Sequence, residues 1–458
     1  MPPDAQFSGL LTDLYELTMA AGYVEKGFEA TSTFELFVRH LPPGRNYLVA
    51  AGLEQALEFV NGFHFSREDV AYLRSLKIFH KVQSSFFDFL TSLRFQGDIW
   101  ALPEGTVFFP GEPILRLTAP IAVGQLLETS LLSILHFHTL IASKAARVTA
   151  AAGSRPVVEF GSRRAHGIEA GVLAARAAFI AGCAGTSNTY AGQRFAIPVY
   201  GTQAHSWIMA HEDEAKAFAD FLDIFPEQSV LLVDTYDVRG AVEKIIASAR
   251  KPSAIRLDSG DVVADSIWAR KRLDQAGWNE VHIFVSGDLD EQKIEDILRA
   301  GAPVDAFGVG TALATSSDAP HIGVIYKLVE VSENHRTRFT AKVSADKKTY
   351  PGRKQVFRFI GANGKYSRDM IGLHDEAVPG AAPLLVEVMR DGRQTAAVSD
   401  STQALTAARA RFAECRSRLP VHLLANAPAE PPYSVGCTQR LEQLSERTFE
   451  HLRKSAKT

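Results

Sequence analysis

His205 in GTQAHSW, Arg256 and Asp258 in RLDSGD, and the glycines of SGD (Ser286 to Asp288) and GVGT (Gly308 to Thr311) are the residues of this chain best suited to chemistry. An imidazole serves as acid, base, metal ligand or phosphoryl acceptor, and spacing alone leaves all four open for His205, along with a purely structural role. A guanidinium grips a planar carboxylate through two parallel N–H donors, which makes Arg256 a candidate carboxylate anchor. An Arg-Asp pair that trims a strand end uses the same residues. Asp258 and Asp261, with Asp234 and Asp237 in LLVDTYD, suit ribose hydroxyls or a Mg²⁺ ion. Glycine lets backbone amides approach an anion, so Ser286, Gly287, Gly308, Gly310 and Thr311 read as a sugar-phosphate cradle; tight strand-to-helix turns are the plainer alternative. Arg163 and Arg164 in GSRRAH add positive charge where a pyrophosphate can sit, or lie on the surface.

These residues share a context. Each follows a short apolar or β-branched run: VVEF, VY, LLV, AIRL, HIFV and AFGV. The later runs recur at roughly the spacing of a βα unit, and DVRGAVEKIIASAR, VADSIWARKRLDQAG and DEQKIEDILRAG between them read as helices. The pattern predicts an irregular parallel α/β barrel with its chemistry gathered at the carboxyl ends of the strands. Before it, a helix over 12–26 capped by Thr12, the strand TFELFV, the helix GLEQALEFV and an antiparallel sheet over 98–118 make an α+β amino-terminal domain. A long helix over 123–151 leads into the barrel. The barrel rhythm fades after Glu330, and the tail, strands followed by a helix from Asp400 to Arg418, is expected to pack back on the first domain. The expected domains are 1–122, 123–340 and 341–458.

Composition narrows the function classes. With 46% hydrophobic and 22% charged residues the chain can bury a sizeable core, and a net charge of -3 provides no basic field for a nucleic acid. The Lys/Arg residues are scattered except for a cluster from Lys342 to Lys354. Cys183, Cys415 and Cys437 form no CxxC, so neither a disulfide framework nor a zinc knuckle is indicated and a cytoplasmic location is expected. No membrane segment or export signal is legible. His136 and His138 in HFH sit two apart on a predicted helix and point to different sides, which disfavours a shared metal. There is no HExxH and no P-loop, and GVGTAL lacks the third glycine of a dinucleotide fingerprint. No lysine stands at these strand ends, which disfavours an aldolase.

In order along the chain, TDLYELTMAAGY, FGSRRAHGIEAG, AGTSNTYAG, GTQAHSW, RLDSGD, SGDLDE and GVGT resemble the nicotinate phosphoribosyltransferase family, of type II phosphoribosyltransferase fold. The resemblance implies an enzyme that joins nicotinate to 5-phosphoribosyl-1-pyrophosphate, giving nicotinate mononucleotide and pyrophosphate in NAD salvage. It also implies ATP hydrolysis coupled through a phosphohistidine, with Mg²⁺ as cofactor. His205 matches the phosphorylated histidine; Tyr15, Thr202 and Arg256 match nicotinate-site positions, and Thr311 a phosphoribosyl contact. Tyr15 is expected to reach a neighbouring subunit's site in a homodimer. Nicotinamide phosphoribosyltransferases resemble the chain at the same strand ends but carry an aspartate where Ser187 stands here; a carboxylate there would repel nicotinate, so Ser187 favours the acid. The alternatives are therefore a nicotinamide-specific enzyme and a non-catalytic nucleotide-binding descendant.

Overall fold

The computed structural model describes residues 6–342, 349–395 and 401–455. Residues 343–348 of the Lys342–Lys354 cluster, and Asp400 at the predicted start of the last helix, lie outside the described residues. The chain divides into two compact units, Met1–Leu140 with His321–Thr458, and Ile141–Pro320.

The first unit is built on a seven-stranded antiparallel sheet in the order Arg336–Phe339, Val324–Glu333, Thr31–Val38, Pro113–Pro120, Asp98–Ala101, Val386–Arg390 and Arg393–Gln394. Val324–Glu333 pairs with Thr31–Val38, and Val386–Arg390 pairs with Asp98–Ala101. The carboxyl-terminal third therefore packs back on the first domain by adding strands to both sides of its sheet. Helix Leu14–Glu25 starts two residues later than the sequence predicts: Asp13 holds the cap position without a side-chain bond, and the Thr12 hydroxyl donates instead to Glu16. The long helix ahead of the barrel is broken at Leu127 into Ile121–Leu126 and Glu128–Ala152.

The second unit carries six parallel strands: β1 (Val157–Glu159), β2 (Gly185–Thr186), β3 (Val230–Leu232), β4 (Ala254–Leu257), β5 (His282–Val285) and β6 (Ala306–Val309). Their order is β2-β1-β6-β5-β4-β3, and all pairings are parallel. Among the described residues β2 and β3 share no ladder, so the barrel is irregular and open between them. Around the strands run α1 (Ile168–Ile180), α2 (Thr189–Phe195), α3 (His205–Met209), α4 (Glu214–Ile224), α5 (Val238–Ala247), α6 (Val262–Gln275), α7 (Glu291–Arg299) and α8 (Thr311–Ala314). Ile255, Leu257, Ile283, Val285, Phe307 and Val309 are fully buried, as strands covered on both faces require. The run VY, which reads as a strand, makes only a single bridge through Val199 to Thr186; the two-residue β2 takes its place in the sheet.

Carboxylates at the strand ends start the next helices. Asp237, Asp261 and Asp290 each accept an N–H from the first turn of α5, α6 and α7, at Gly240, Ala264 and Lys293. Such caps satisfy amides that the helix itself leaves open.

Candidate active site

The carboxyl ends of β3, β4 and β5 gather one hydrogen-bonded constellation around Arg256. Its Nε donates to Ser286 Oγ at 2.7 Å, Nη1 to Thr202 Oγ1 at 2.8 Å and to the Gln203 carbonyl at 3.5 Å, and Nη2 to Asp258 Oδ1 at 2.5 Å. The guanidinium also lies 5.6 Å from the Phe160 ring centre. Four of its five N–H groups thus have protein partners. One Nη2 proton remains for a further acceptor.

Ser286 donates its own proton to Asp258 Oδ1 at 2.5 Å, so that oxygen accepts from two side chains. Burial raises the Asp258 carboxyl, but Ser286, Arg256 and His205 outweigh it and hold the group below its ordinary range, ionised at neutral pH. One strand over, Asp234 Oδ2 accepts the Asp258 N–H at 3.1 Å and the Ser259 hydroxyl at 2.6 Å. Its other oxygen, Oδ1, is buried with no hydrogen-bond partner.

His205 is the first residue of α3. Its Nδ1 is 3.1 Å from Thr235 Oγ1, which fixes the rotation of the ring, and its Nε2 is 3.9 Å from Asp258 Oδ2. With 41% of its side chain exposed the imidazole is accessible to a ligand. The sequence reading named His205, Arg256, Asp258, Thr202 and Ser286 separately, and the fold brings them together. It did not single out Thr235, whose only signal is its place between Asp234 and Tyr236 at a strand stop.

A second cluster forms where β1, β2 and β6 end. Ser187 N–H donates to the Glu159 carbonyl, Thr186 Oγ1 to Glu159 Oε2 at 2.6 Å, and Asn188 Nδ2 to Ser162 Oγ at 3.0 Å. Arg163 and Arg164 lie in the short 3₁₀ turn Ser162–Arg164, exposed, and their guanidinium groups have no hydrogen bond or ion pair among the described residues. Gly310 and Thr311 form the turn into α8.

Two of the glycines read as a phosphate cradle have packing roles. A Cβ on Gly287, where φ is +92°, would lie 1.7 Å from the Asp258 carbonyl oxygen, so glycine there allows β4 and β5 to end side by side. Gly308 lies within β6, not in the turn, and a Cβ there would strike the Phe160 ring at 2.7 Å. The helix after GVGT is a single turn, and α7 is capped by Asp290. Neither offers a long, open helix amino terminus. Asp261 is exposed with Oδ1 engaged in its cap, and among the described residues no group of three or more His, Cys, Asp or Glu is arranged to hold a metal ion. Tyr15 lies in the first unit on Leu14–Glu25, with 46% of its surface exposed; burial and the carboxylates of Glu128, Glu16 and Asp13 push its phenol further above its ordinary range.

Known proteins share this arrangement of sequence and fold. Residues 10–136 match the nicotinate phosphoribosyltransferase (NAPRTase) N-terminal domain, and residues 156–354 match the nicotinate phosphoribosyltransferase (NAPRTase) family. The chain is 47% identical over 391 residues to nicotinate phosphoribosyltransferase pncB2 of Mycobacterium tuberculosis, covering 84% of this chain and 82% of the relative. It is 42% identical over 380 residues to nicotinate phosphoribosyltransferase of Bacillus subtilis, covering 81% and 77%. The crystal structure of human nicotinic acid phosphoribosyltransferase superposes with a TM-score of 0.83 at 27% identity, over 95% of this chain and 99% of that one.

Proposed function

The chain belongs to the nicotinate phosphoribosyltransferase family, and from that premise we propose that the Arg256 constellation is where nicotinate and 5-phosphoribosyl-1-pyrophosphate become nicotinate mononucleotide and pyrophosphate, with ATP hydrolysis coupled through His205. The enzyme acts on small molecules in NAD salvage. The observation that carries the reading is the placement of His205, held by Thr235 and facing Asp258 while Asp258 is locked to Arg256.

The pyridine nitrogen has a free lone pair, so its attack on the anomeric carbon needs no general base. The C–N bond forms as the C–O bond to pyrophosphate breaks, and the leaving group keeps the electron pair. What the site must supply is stabilisation of an electron-poor ribosyl centre and of a departing polyanion. Arg163 and Arg164, free of protein counter-ions among the described residues, supply positive charge to the pyrophosphate. The nicotinate carboxylate is held by Arg256 with Thr202, and Ser187 leaves the pyridine pocket without a repelling carboxylate. Gly310 and Thr311 face the phosphoribosyl group, whereas buried Ser286 has its hydroxyl engaged by Arg256 and Asp258 and supports the site from behind.

In the coupled step a ring nitrogen of His205 attacks the terminal phosphorus of ATP. The N–P bond forms, ADP leaves with the electron pair, and water later cleaves N–P to release phosphate. Phosphorylation puts positive charge on the imidazole, and the ionised Asp258 at 3.9 Å balances it. The donor set suits Mg²⁺: Asp234 Oδ1 is a buried carboxylate oxygen without a hydrogen-bond partner among the described residues, and Arg256 and Ser286 bond to Asp258 through its other oxygen, Oδ1. One or two protein carboxylates would be enough to hold a magnesium ion, and it would supply Lewis-acid neutralisation of the leaving group. Asp261 is a weaker contributor, since one of its oxygens caps α6. A homodimer with Tyr15 reaching the neighbouring site and a cytoplasmic location complete the reading. No helix of the described residues is long and apolar enough to cross a membrane.

The test is product mass from nicotinate, nicotinamide and quinolinate, each with phosphoribosyl pyrophosphate and Mg²⁺, with and without ATP. Nicotinate mononucleotide formed preferentially and faster with ATP is the expected result. Preferential product from nicotinamide overturns the role of Ser187, and an ATP-independent rate overturns the role of His205.

A further inference from the structure

Glu159 is the last residue of β1 and is fully buried, yet among the described residues no cation pairs with it. Its two carboxylate oxygens accept from two different loops. Oε1 takes the Gly161 N–H, at the start of the turn that carries Arg163 and Arg164. Oε2 takes the Thr186 hydroxyl at 2.6 Å, and Thr186 Oγ1 in turn accepts the Asn188 N–H at 2.9 Å. The Glu159 carbonyl accepts the Ser187 N–H at 2.9 Å, and the next residue, Phe160, donates its N–H to the Val309 carbonyl of β6 at 2.8 Å. One residue thus joins the ends of β1 and β2 beside the GVGT strand. The Gly161 amide can only donate, while the Thr186 hydroxyl, which accepts from Asn188, gives its proton to the carboxylate.

We propose that Glu159 is a positioning residue of the transferase site, whose carboxylate ties the Ser162–Arg164 turn to the Ser187–Asn188 segment so that the loops for the phosphoribosyl donor and for the pyridine hold one geometry. The inference rests on the substrate roles given above to Arg163, Arg164 and Ser187. Burial pushes the carboxyl up, and the Thr186 and Gly161 bonds oppose the rise. In Glu159→Gln the side chain keeps its shape but loses its charge, so the Gly161 bond falls to neutral strength and the Thr186 hydroxyl has to turn from donor to acceptor.

The test uses the full chain and steady-state kinetics on Glu159→Gln, Thr186→Val, Thr186→Ser and the Glu159→Gln/Thr186→Val pair. Losing a bond to a charged acceptor predicts that Glu159→Gln raises KM for both substrates on the order of tenfold, with a smaller change in kcat. Thr186→Val cuts only the arm toward Ser187, so it raises the nicotinate KM and leaves that of the phosphoribosyl donor. Thr186→Ser retains parental values, and the double variant is no worse than Glu159→Gln alone. Equal effects of Thr186→Val on both substrates, or additive effects in the double variant, overturn the proposal. Amide hydrogen exchange tests the tie apart from the substrate roles: exchange should quicken in both 161–164 and 187–191 of Glu159→Gln, and unchanged exchange in either segment refutes the proposal. Arg163→Ala and Ser187→Ala, read by the same kinetics, test the substrate roles themselves.

Discussion

Replacing Arg256 with lysine keeps the charge and removes the geometry, so its cost can be worked from the contacts. The guanidinium reaches Ser286, Thr202 and Asp258 from three different nitrogens. An ammonium is a point donor that cannot span all three, and its strongest attraction is to the ionised Asp258. The bonds to Ser286 and Thr202 are therefore lost. A hydrogen bond to a charged group contributes about 1.5–3 kcal/mol, but Ser286 keeps its bond to Asp258 and Thr202 keeps its bond to the Gln203 carbonyl, so neither hydroxyl is orphaned and the lower end applies. Two such losses come to about 2–3 kcal/mol, or roughly a 30- to 150-fold fall in kcat/KM for nicotinate. The assay is initial rate against nicotinate at saturating phosphoribosyl pyrophosphate, then the reverse. KM for nicotinate should rise steeply and that for the donor by less than about threefold. An unchanged nicotinate KM, or equal rises for both substrates, refutes the placement of the carboxylate at Arg256.

His205→Ala should abolish ATP hydrolysis coupled to turnover while leaving slow ATP-independent product formation; equal ATPase activity in variant and parent rules out the phosphohistidine. Ser187→Asp should lower kcat/KM for nicotinate by about tenfold or more and favour nicotinamide, because like charges then meet in the pyridine pocket; unchanged preference by competition assay removes Ser187 from specificity. Asp234→Asn should raise the Mg²⁺ concentration needed for half-maximal rate, since the buried unpartnered oxygen loses its charge, and an unaltered Mg²⁺ dependence moves the ion elsewhere. Burial raises the Glu291 carboxyl, but Lys144 and Arg147 outweigh it and hold it below 4.5, so the unfolded chain binds more protons and the stabilisation, complete above 4.5, is lost as pH falls through the folded value. Glu291→Gln should therefore destabilise by about 2 kcal/mol at pH 7, less than a fully orphaned buried charge because Asp318 still pairs with Lys144, and the gap to the parent should close in acid by denaturant titration.

The barrel was legible because each strand from β3 to β6 is an apolar run that stops at a turn, and the stretches between those strands read as helices. β2 was not, because a Gly-Thr pair has no apolar run to detect and is held by its neighbours on β1. Nor could the pairing of Val324–Glu333 with Thr31–Val38 be read, since a ladder between segments nearly 300 residues apart leaves no local pattern. The glycines misled in a specific way. Gly287 and Gly308 mark close approach, as glycine at a strand end does, but what approaches is the Asp258 carbonyl in one case and the Phe160 ring in the other.

The site shows a similar division between residue type and residue use. Histidine, arginine and aspartate at strand ends announce chemistry by their functional groups. Their state is set by one another and by hydroxyls with no such announcement: Thr235 turns the imidazole, Ser286 joins Arg256 in keeping Asp258 ionised, and Asp234 holds the Asp258 backbone. The Arg256–Asp258 pair is balanced in charge, so by itself it offers a nicotinate anion direction more than attraction. Attraction for the polyanionic donor falls on the proposed reading to cations without internal partners among the described residues, and Arg163 and Arg164 are such cations at the end of β1. On those proposed roles the turn that carries them matters to donor affinity as Arg256 does to nicotinate orientation, and Glu159, legible in the sequence only as one charged letter in the run VVEF, is a buried carboxylate that bonds the Gly161 N–H at the start of that turn.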